Sequence, residues 1–470
     1  MKNRIKQYLL AASMCVGLTA CSDFFEPIPG VQFGLDETFA SKQRTEEYLN
    51  NVYSYVREVT DAIHPNTYGG IFTEASLDGA NRWNKTYAEW TNGSFNSASA
   101  QASEYFSKYY QAIAKASTFI QNVDKCTEAA ASTRGKWKSE ARALRAYYYF
   151  ELLRLYGPIP LIGEDPIPLD ASLEELIKER NSVDECVNFI ATELQSAIDS
   201  GDLLQRAGKA NLGRMDVATC MALKAKLYLY WASPLFNGNT DQASVKNKDG
   251  KQLFPQTEDN SKWTQARDAY EGFMTFATGQ GYKLTEVYTN GKLDPYASCR
   301  AAGEFFTTTW EAVDELIFVK LRDLYDYTYW VCPKFTDFQD TDVTGGGGYY
   351  TTQETVDLFF TKDGLTIEED PGYDKFEGIP SANNFTSGRY YDPNNPSRLY
   401  FDADKSKVLK QWKDREPRFY VNITYSGSIW LNEGKYNEEM RTDFTNGANG
   451  TCGKSKASGD CPDSGYLIRR

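Results

Sequence analysis

The sequence predicts a mainly α-helical protein with a smaller, loop-rich portion that contains small β elements. Apolar residues recur at spacings of three and four from about residue 36 to residue 234, as on one face of an α-helix. After about residue 236 the chain is rich in Gly, Asn, Asp and Thr, which favour turns and loops. Successive helices joined by short or moderate loops predict a scaffold of stacked, tetratricopeptide-like helix pairs, although no strict repeat is visible.

Two long apolar stripes predict consecutive helices over residues 103–123 and 136–156. The first stripe consists of Phe106, Tyr109, Ile113, Ala116, Ile120 and Val123. The second consists of Trp137, Ala141, Leu144, Tyr148, Leu152 and Leu155. Both stripes are interpreted as core rather than as a cofactor site, because an apolar helix face ordinarily packs against neighbouring helices.

The ends of the predicted helices are marked by their residue types. Gly157-Pro158 ends the second helix, since proline disfavours helical backbone in the residue before it. Ser182 begins another helix, because its hydroxyl accepts from the Glu185 amide while Glu185 reaches back, which is a capping box. A further helix is predicted after Asp216.

Turns and short strands are predicted in the second half. The segments Phe419 to Tyr425 and Ile429 to Leu431 have the alternating, β-favouring composition of short strands. The prolines between Asp392 and Pro396 indicate turns. The run Gly345 to Gly348 lacks the Lys-Ser/Thr ending of a phosphate-binding loop and follows no clear strand, so we interpret it as a flexible surface turn.

The composition argues against nucleic acid as a partner and for an exposed binding surface. The formal net charge is −13, and a negative surface repels the phosphate backbone of DNA and RNA. Aromatic residues make up 14% of the chain, with 32 Tyr, 26 Phe and 9 Trp. Many of them occur in polar, loop-like stretches where no core requires them, which indicates a surface that binds a ligand.

The number and spacing of the histidine and cysteine residues do not suit a metal site or a bound cofactor. His64 is the only histidine, it precedes a proline, and none of the nine cysteines forms a C-x-x-C pair. We therefore expect no metal site and no cofactor. Cys452 and Cys461 flank a Gly/Ser/Lys loop, and they are candidates either for a disulfide in an oxidising compartment or for two unpaired thiols.

The N-terminus has the features of an export signal. Residues 1–20 combine a basic start with an apolar run that is too short to span a bilayer, so we interpret them as a signal peptide. Leu18-Thr19-Ala20-Cys21 resembles the bacterial lipobox, in which the cysteine thiol is lipidated, so Cys21 is the predicted lipidation site. Residues 21–35, with two prolines and glycines, are interpreted as a tether.

Several segments, in order along the chain, resemble the pattern of the SusD/RagB family. The most specific is Glu140 to Ile162 (EARALRAYYYFELLRLYGPIPLI), a helix with alanine, arginine and aromatic residues that ends in Tyr-Gly-Pro-Ile-Pro-Leu. The others are Asp36 to Tyr55, Tyr105 to Asp124, Gly213 to Phe236, Thr352 to Gly364 (TQETVDLFFTKDG) and Trp412 to Phe419 (WKDREPRF). Residues 238–350 match only loosely.

The resemblance implies a mainly helical, non-enzymatic nutrient-binding lipoprotein at the cell surface, held to the outer membrane by its lipid. Its partners would be an oligosaccharide or polysaccharide and a TonB-dependent, SusC-like transporter. It also implies an N-terminal helical region over residues 36–236 and a C-terminal region over residues 237–470. Family members usually continue beyond a stretch like Gly465 to Arg470 into more helices, so we expect this chain to be a truncated form.

Two clusters have the residue types that bind sugars. Sugars present apolar C–H faces and rings of hydroxyls, so a site combines flat aromatic rings with planar polar groups. The first candidate cluster is Asn81, Arg82, Trp83, Trp90 and Asn92. The second, which follows the apolar strip Leu316 to Val319 that resembles the family's pre-site helix or strand, is Tyr325, Tyr327, Tyr329 and Trp330.

Two other functions compete with glycan capture. A helical glycoside hydrolase would need two carboxylates facing each other across a cleft, and no motif isolates such a pair among the 64 acidic residues. A scaffold that binds peptide or protein is the stronger alternative, because aromatic and Asn side chains also hold extended backbones. Glycan capture is the function that the sequence favours.

Overall fold

The structure is a computed structural model. It describes residues 34–56, 76, 79–81, 89, 93–168, 171–303, 314–320, 331–333, 345–375, 378–404, 406–430, 440–441, 462 and 464–469.

Helices dominate the described part of the chain up to residue 303. The longest are those that the apolar stripes predict, and short helices follow in the second half. In chain order the helices are α1 (Leu35–Ala40), α2 (Lys42–Tyr53), α3 (Ala100–Asn122), α4 (Ala131–Tyr156), α5 (Leu173–Leu176), α6 (Val183–Asp199), α7 (Val217–Ala232), α8 (Ser261–Gly279), α9 (Pro295–Gly303), α10 (Gln353–Asp357) and α11 (Pro417–Asn422).

The strands are short and antiparallel. Four of them form a sheet in the order β1-β4-β10-β7, and the pairs β2–β3, β5–β6 and β8–β9 form two-stranded sheets. Their bounds are β1 (Ala80–Asn81), β2 (Tyr288–Thr289), β3 (Lys292–Leu293), β4 (Tyr349–Tyr350), β5 (Arg389–Asp392), β6 (Asn395–Asp402), β7 (Ile423–Tyr425), β8 (Ile429–Trp430), β9 (Met440–Arg441) and β10 (Tyr466–Ile468).

The long helices stack in sequence order, which confirms the prediction of successive helix pairs. Helix α3 packs on α4, α4 on α6, α6 on α7, and α7 on α8. Helix α4 lies at the centre and is buried over most of its length, including its polar positions. Its Arg145 is fully buried and forms an ion pair at 2.6 Å with Glu193 of α6, since a buried charge needs a partner.

The predicted helix ends are confirmed. Gly157 follows α4 with a φ of 67°, a backbone conformation that a side chain disfavours. Ser182 and Glu185 form the capping box at the start of α6. The Asp216 carboxylate accepts from the Thr219 amide at 2.7 Å at the start of α7. One position of the first stripe is wrong: Phe106 is 38% exposed, because its ring lies at the rim of a groove between α3 and the loop after α4.

A second hydrophobic core, rich in aromatic rings, lies in what we call the C-terminal body. It includes residues of α9, α10, β6, α11, β7 and β10. The Tyr400 and Tyr420 rings stack with their centroids 4.0 Å apart. The predicted turn at residues 392–396 joins β5 to β6, and the predicted strand at Ile429 is β8.

The strand predicted from Phe419 to Tyr425 is wrong in its first half. Residues Pro417–Asn422 form helix α11, and only Ile423–Tyr425 are extended. Pro417 occupies the first turn of the helix, where its missing N–H costs nothing. The Tyr420 hydroxyl donates to the Trp412 carbonyl oxygen at 3.0 Å, so tertiary contacts override the β preference of the aromatic residues.

Candidate functional site

Most of the two predicted sugar-binding clusters lies outside the described residues. Asn81 is described through its backbone, as the last residue of β1. The remaining predicted residues that lie outside the described ranges are Arg82, Trp83, Trp90, Asn92, Tyr325, Tyr327, Tyr329 and Trp330, together with Cys21, His64, Cys452 and Cys461.

The described neighbours of the first cluster lie at the edge of the four-stranded sheet. Among the described strands, β1 pairs with β4 alone, and Asn81 is opposite Tyr349. Tyr349 directly follows Gly345 to Gly348 in the sequence. The first cluster therefore starts beside the glycine run.

The glycine run is buried, so its interpretation as a surface turn is wrong. The Gly345 amide donates to the Pro333 carbonyl oxygen at 3.2 Å, and the Gly347 amide donates to that of Cys332 at 3.0 Å. A Cβ atom on Gly345 would lie 2.2 Å from the Cys332 carbonyl oxygen, which is closer than Cβ atoms in proteins approach other non-bonded heavy atoms. Glycine is required here because two backbone segments approach each other closely.

The same contact involves the described residues that directly follow the second cluster, whose four members lie outside the described ranges. Trp330 is bonded to Val331, which is buried, and Val331 leads directly into the Cys332-Pro333 segment that holds the glycine run. One end of each predicted cluster is thus covalently joined to a segment that borders residues 345–350. This proximity was missed from the sequence, although four consecutive glycines are a signal of close backbone approach.

The apolar strip before the second cluster is neither helix nor strand in the structure. Leu316 to Val319 is half-buried and lies against the helical scaffold. The Phe318 ring contacts that of Tyr147 with centroids 6.2 Å apart, and the Thr219 hydroxyl donates to the Ile317 carbonyl oxygen at 3.3 Å. These contacts with α4 and α7 hold the strip against the helices without strand pairing among the described residues.

Burial shifts the pKa values of two described groups near this sheet. Burial raises the pKa of the Cys332 thiol to about 12, so the thiol is protonated and poorly nucleophilic at neutral pH. Burial lowers the pKa of Arg469, whose guanidinium donates to the Ile429 carbonyl oxygen at 2.6 Å. Within the described ranges, no group of three or more His, Cys, Asp or Glu is placed to hold a metal ion.

Two family profiles match the chain. A profile described as "Starch-binding associating with outer membrane" matches residues 32–229, and one described as "SusD family" matches residues 315–470. A curated SusD-like protein from Bacteroides ovatus is 27% identical over 175 residues, which are 36% of this chain and 30% of that protein. The chain therefore aligns with less than a third of that relative's length.

Solved structures confirm the mainly α fold. BT4246 superposes with a TM-score of 0.70 at 23% identity, covering 91% of this chain and 72% of that one. A SusD-like protein from Bacteroides fragilis gives 0.63 at 19% identity, covering 93% and 70%. A SusD-like carbohydrate binding protein from the same species gives 0.59 at 17% identity, covering 92% and 68%.

Proposed function

Because the chain belongs to the SusD/RagB family, we propose that it captures oligosaccharide at the cell surface and passes it to a TonB-dependent, SusC-like transporter. The observation that carries this proposal is the profile match over residues 32–229, whose family description names starch binding and association with the outer membrane. The Bacteroides fragilis protein of the same fold is also described as carbohydrate binding. The protein binds its ligand without breaking it.

We propose that the two aromatic clusters form one binding site. Asn81, in β1, and Cys332, two residues after Trp330, both contact the segment 345–350, which supports a common location. Tryptophan and tyrosine rings stack on the apolar faces of sugars, and Asn and Arg side chains bind hydroxyl groups. The site residues are Asn81, Arg82, Trp83, Trp90, Asn92, Tyr325, Tyr327, Tyr329 and Trp330.

We further propose that lipid on Cys21 attaches the protein to the outer membrane. The signal-like residues 1–20 and the lipobox resemblance of residues 18–21 support this attachment. Over the part of the chain that the structure describes, no helix has both the length and the apolar character needed to cross a bilayer. A lipid chain and residues 21–35 would then hold the helical scaffold at the membrane surface.

Isothermal titration calorimetry against a panel of polysaccharides and peptides tests the proposal. We expect saturable binding to a glycan, with affinity reduced in Trp83→Ala or Trp330→Ala, because each change removes a ring on which a sugar stacks. Trp263→Ala is the matched control, since Trp263 is an exposed tryptophan of α8, away from the sheet. An assay for reducing ends in the same samples tests for hydrolysis.

Each outcome decides between functions. Glycan binding that Trp83→Ala or Trp330→Ala weakens, without release of reducing ends, supports capture at this site. Binding of peptides alone would replace the glycan by a peptide ligand. Release of reducing ends would make the protein a hydrolase, and a folded protein that binds no glycan would refute the proposal.

A further inference from the structure

A cleft of about 650 Å³ opens in the C-terminal body. Its lining comes from α10, from the loops around Phe385 and Trp412, and from the start of β10 at Tyr466. Strand β4 runs from the glycine run toward α10, so the cleft and the glycine run lie at opposite ends of β4. The volume is within the range of sites that bind small molecules, about 300 to 1,000 Å³.

One wall of the cleft is a chain of hydrogen bonds. The Trp412 indole N–H donates to the Tyr466 hydroxyl at 2.9 Å, and that hydroxyl donates to Gln353 Oε1 at 2.7 Å. The Gln353 amide then donates to Asp357 Oδ1 at 2.8 Å. The amide and the carboxylate are therefore held in place before a ligand arrives, which reduces the entropy cost of binding.

The charged groups that line the cleft are Asp357, Lys375 and Lys407. Lys375 forms an ion pair with Glu368 at 3.4 Å. The Lys407 ammonium lies 5.6 Å from the centroid of the Phe385 ring, and no carboxylate of the described residues is within ion-pair distance of it. Beside a polar cleft, an ammonium without a carboxylate partner among the described residues attracts an anionic group of a ligand.

We propose that this cleft is a second carbohydrate site and that it binds an acidic oligosaccharide. The Asp357 carboxylate and the Gln353 side-chain oxygen accept hydrogen bonds from hydroxyl groups of the sugar. The Lys407 ammonium forms an ion pair with the carboxylate of a uronic acid residue. The Phe385 ring and the Leu409 side chain supply apolar surface for the C–H face of the sugar. This site functions independently of the two aromatic clusters.

Calorimetry with a hexamer of galacturonic acid and a neutral hexamer of glucose tests the second site. We expect the acidic hexamer to bind more tightly, and Lys407→Gln to weaken it by about fivefold, the contribution of a partly exposed ion pair. Raising the salt concentration should weaken binding of the acidic hexamer, because salt screens exposed charges. Lys248→Gln, which changes an exposed lysine of a distant loop, should bind like the wild type.

The variants of the aromatic clusters separate the two sites. If Trp83→Ala abolishes binding of neutral glycan, the Lys407-dependent binding of the acidic hexamer should persist. The inference is overturned if Lys407→Gln binds the acidic hexamer as tightly as the wild type, if Trp83→Ala binds the neutral hexamer as tightly as the acidic one, or if the acidic hexamer does not bind. Circular dichroism of Lys407→Gln checks that the variant is folded.

Discussion

The close contact at Gly345 gives the sharpest prediction. In Gly345→Ala, the new methyl group would lie 2.2 Å from the Cys332 carbonyl oxygen and 2.5 Å from its Cβ atom. Ordinary contacts between such atoms are about 3.5 Å, so the two backbone segments must separate by about 1 Å. Overpacking of this kind lowers the free energy of unfolding by about 1 to 3 kcal/mol, which a urea titration measures.

Alkylation of Cys332 supplies a local measurement. With a pKa of about 12, only about one Cys332 thiol in ten thousand is ionised at pH 8, and the thiol reacts slowly. Separation of the segments would admit water, lower this pKa and accelerate alkylation by at least about tenfold. Mass spectrometry of the peptide that contains Cys332 separates its reaction from that of the other cysteines.

Gly272→Ala is the matched control for Gly345→Ala. Gly272 lies inside α8, and no heavy atom is within 4 Å of the position that a Cβ atom would take. The control should therefore leave Cys332 unchanged and raise the free energy of unfolding by up to about 1 kcal/mol, since alanine favours helix. Equal alkylation rates and equal urea midpoints in the two variants would refute the argument that close packing restrains residues 331–333.

Three further predictions follow from the ion pairs and the N-terminus. Arg398→Met leaves the buried carboxylates of Asp294 and Asp392, now 2.9 and 2.6 Å from the guanidinium, without their partner, so urea titration should show a loss of about 3 kcal/mol. Burial acts to raise the pKa of Asp294, but hydrogen bonds, led by that from Arg398, outweigh it and hold this pKa below its ordinary value. The resulting stabilisation is fully present above about pH 4 and is lost as pH falls through the lower folded pKa. Below about pH 4, the free energy of unfolding should therefore change less steeply with pH in Arg398→Met than in the wild type. Equal slopes in the two proteins would contradict this. Cys21→Ser should move the protein from the membrane fraction to the soluble fraction on cell fractionation, and retention in the membrane would contradict lipid attachment.

Local patterns predicted the helical half well, because helix formation depends on residues that are near each other in sequence. The stripe from Tyr109 to Val123 and the caps at Ser182 and Asp216 each involve contacts within one or two helical turns. Phe106 is the exception in the first stripe. Its helical position was predicted, but its exposure depends on the loop that lies opposite it.

The loop-rich half was predicted less well, because its conformation depends on contacts between distant residues. The glycine run is buried by Cys332 and Pro333, and α11 is fixed by packing of Tyr420 on Tyr400. Neither contact leaves a periodic signal in the sequence. Of the predicted sugar site, only Asn81 lies in the described residues, so the site remains a prediction that the tryptophan variants test.

By itself, the sequence determined the helical class, the helix ends at Gly157, Ser182 and Asp216, and the membership of the SusD/RagB family, because periodicity, caps and family segments are all local. Only the tertiary structure decided that the glycine run is buried against residues 332–333 and that Asn81 and Cys332 contact the same segment. It also decided that Gln353, Trp412 and Tyr466 line one cleft. These facts require residues far apart in the chain to meet, and that meeting is determined by packing of the whole fold rather than by any local pattern.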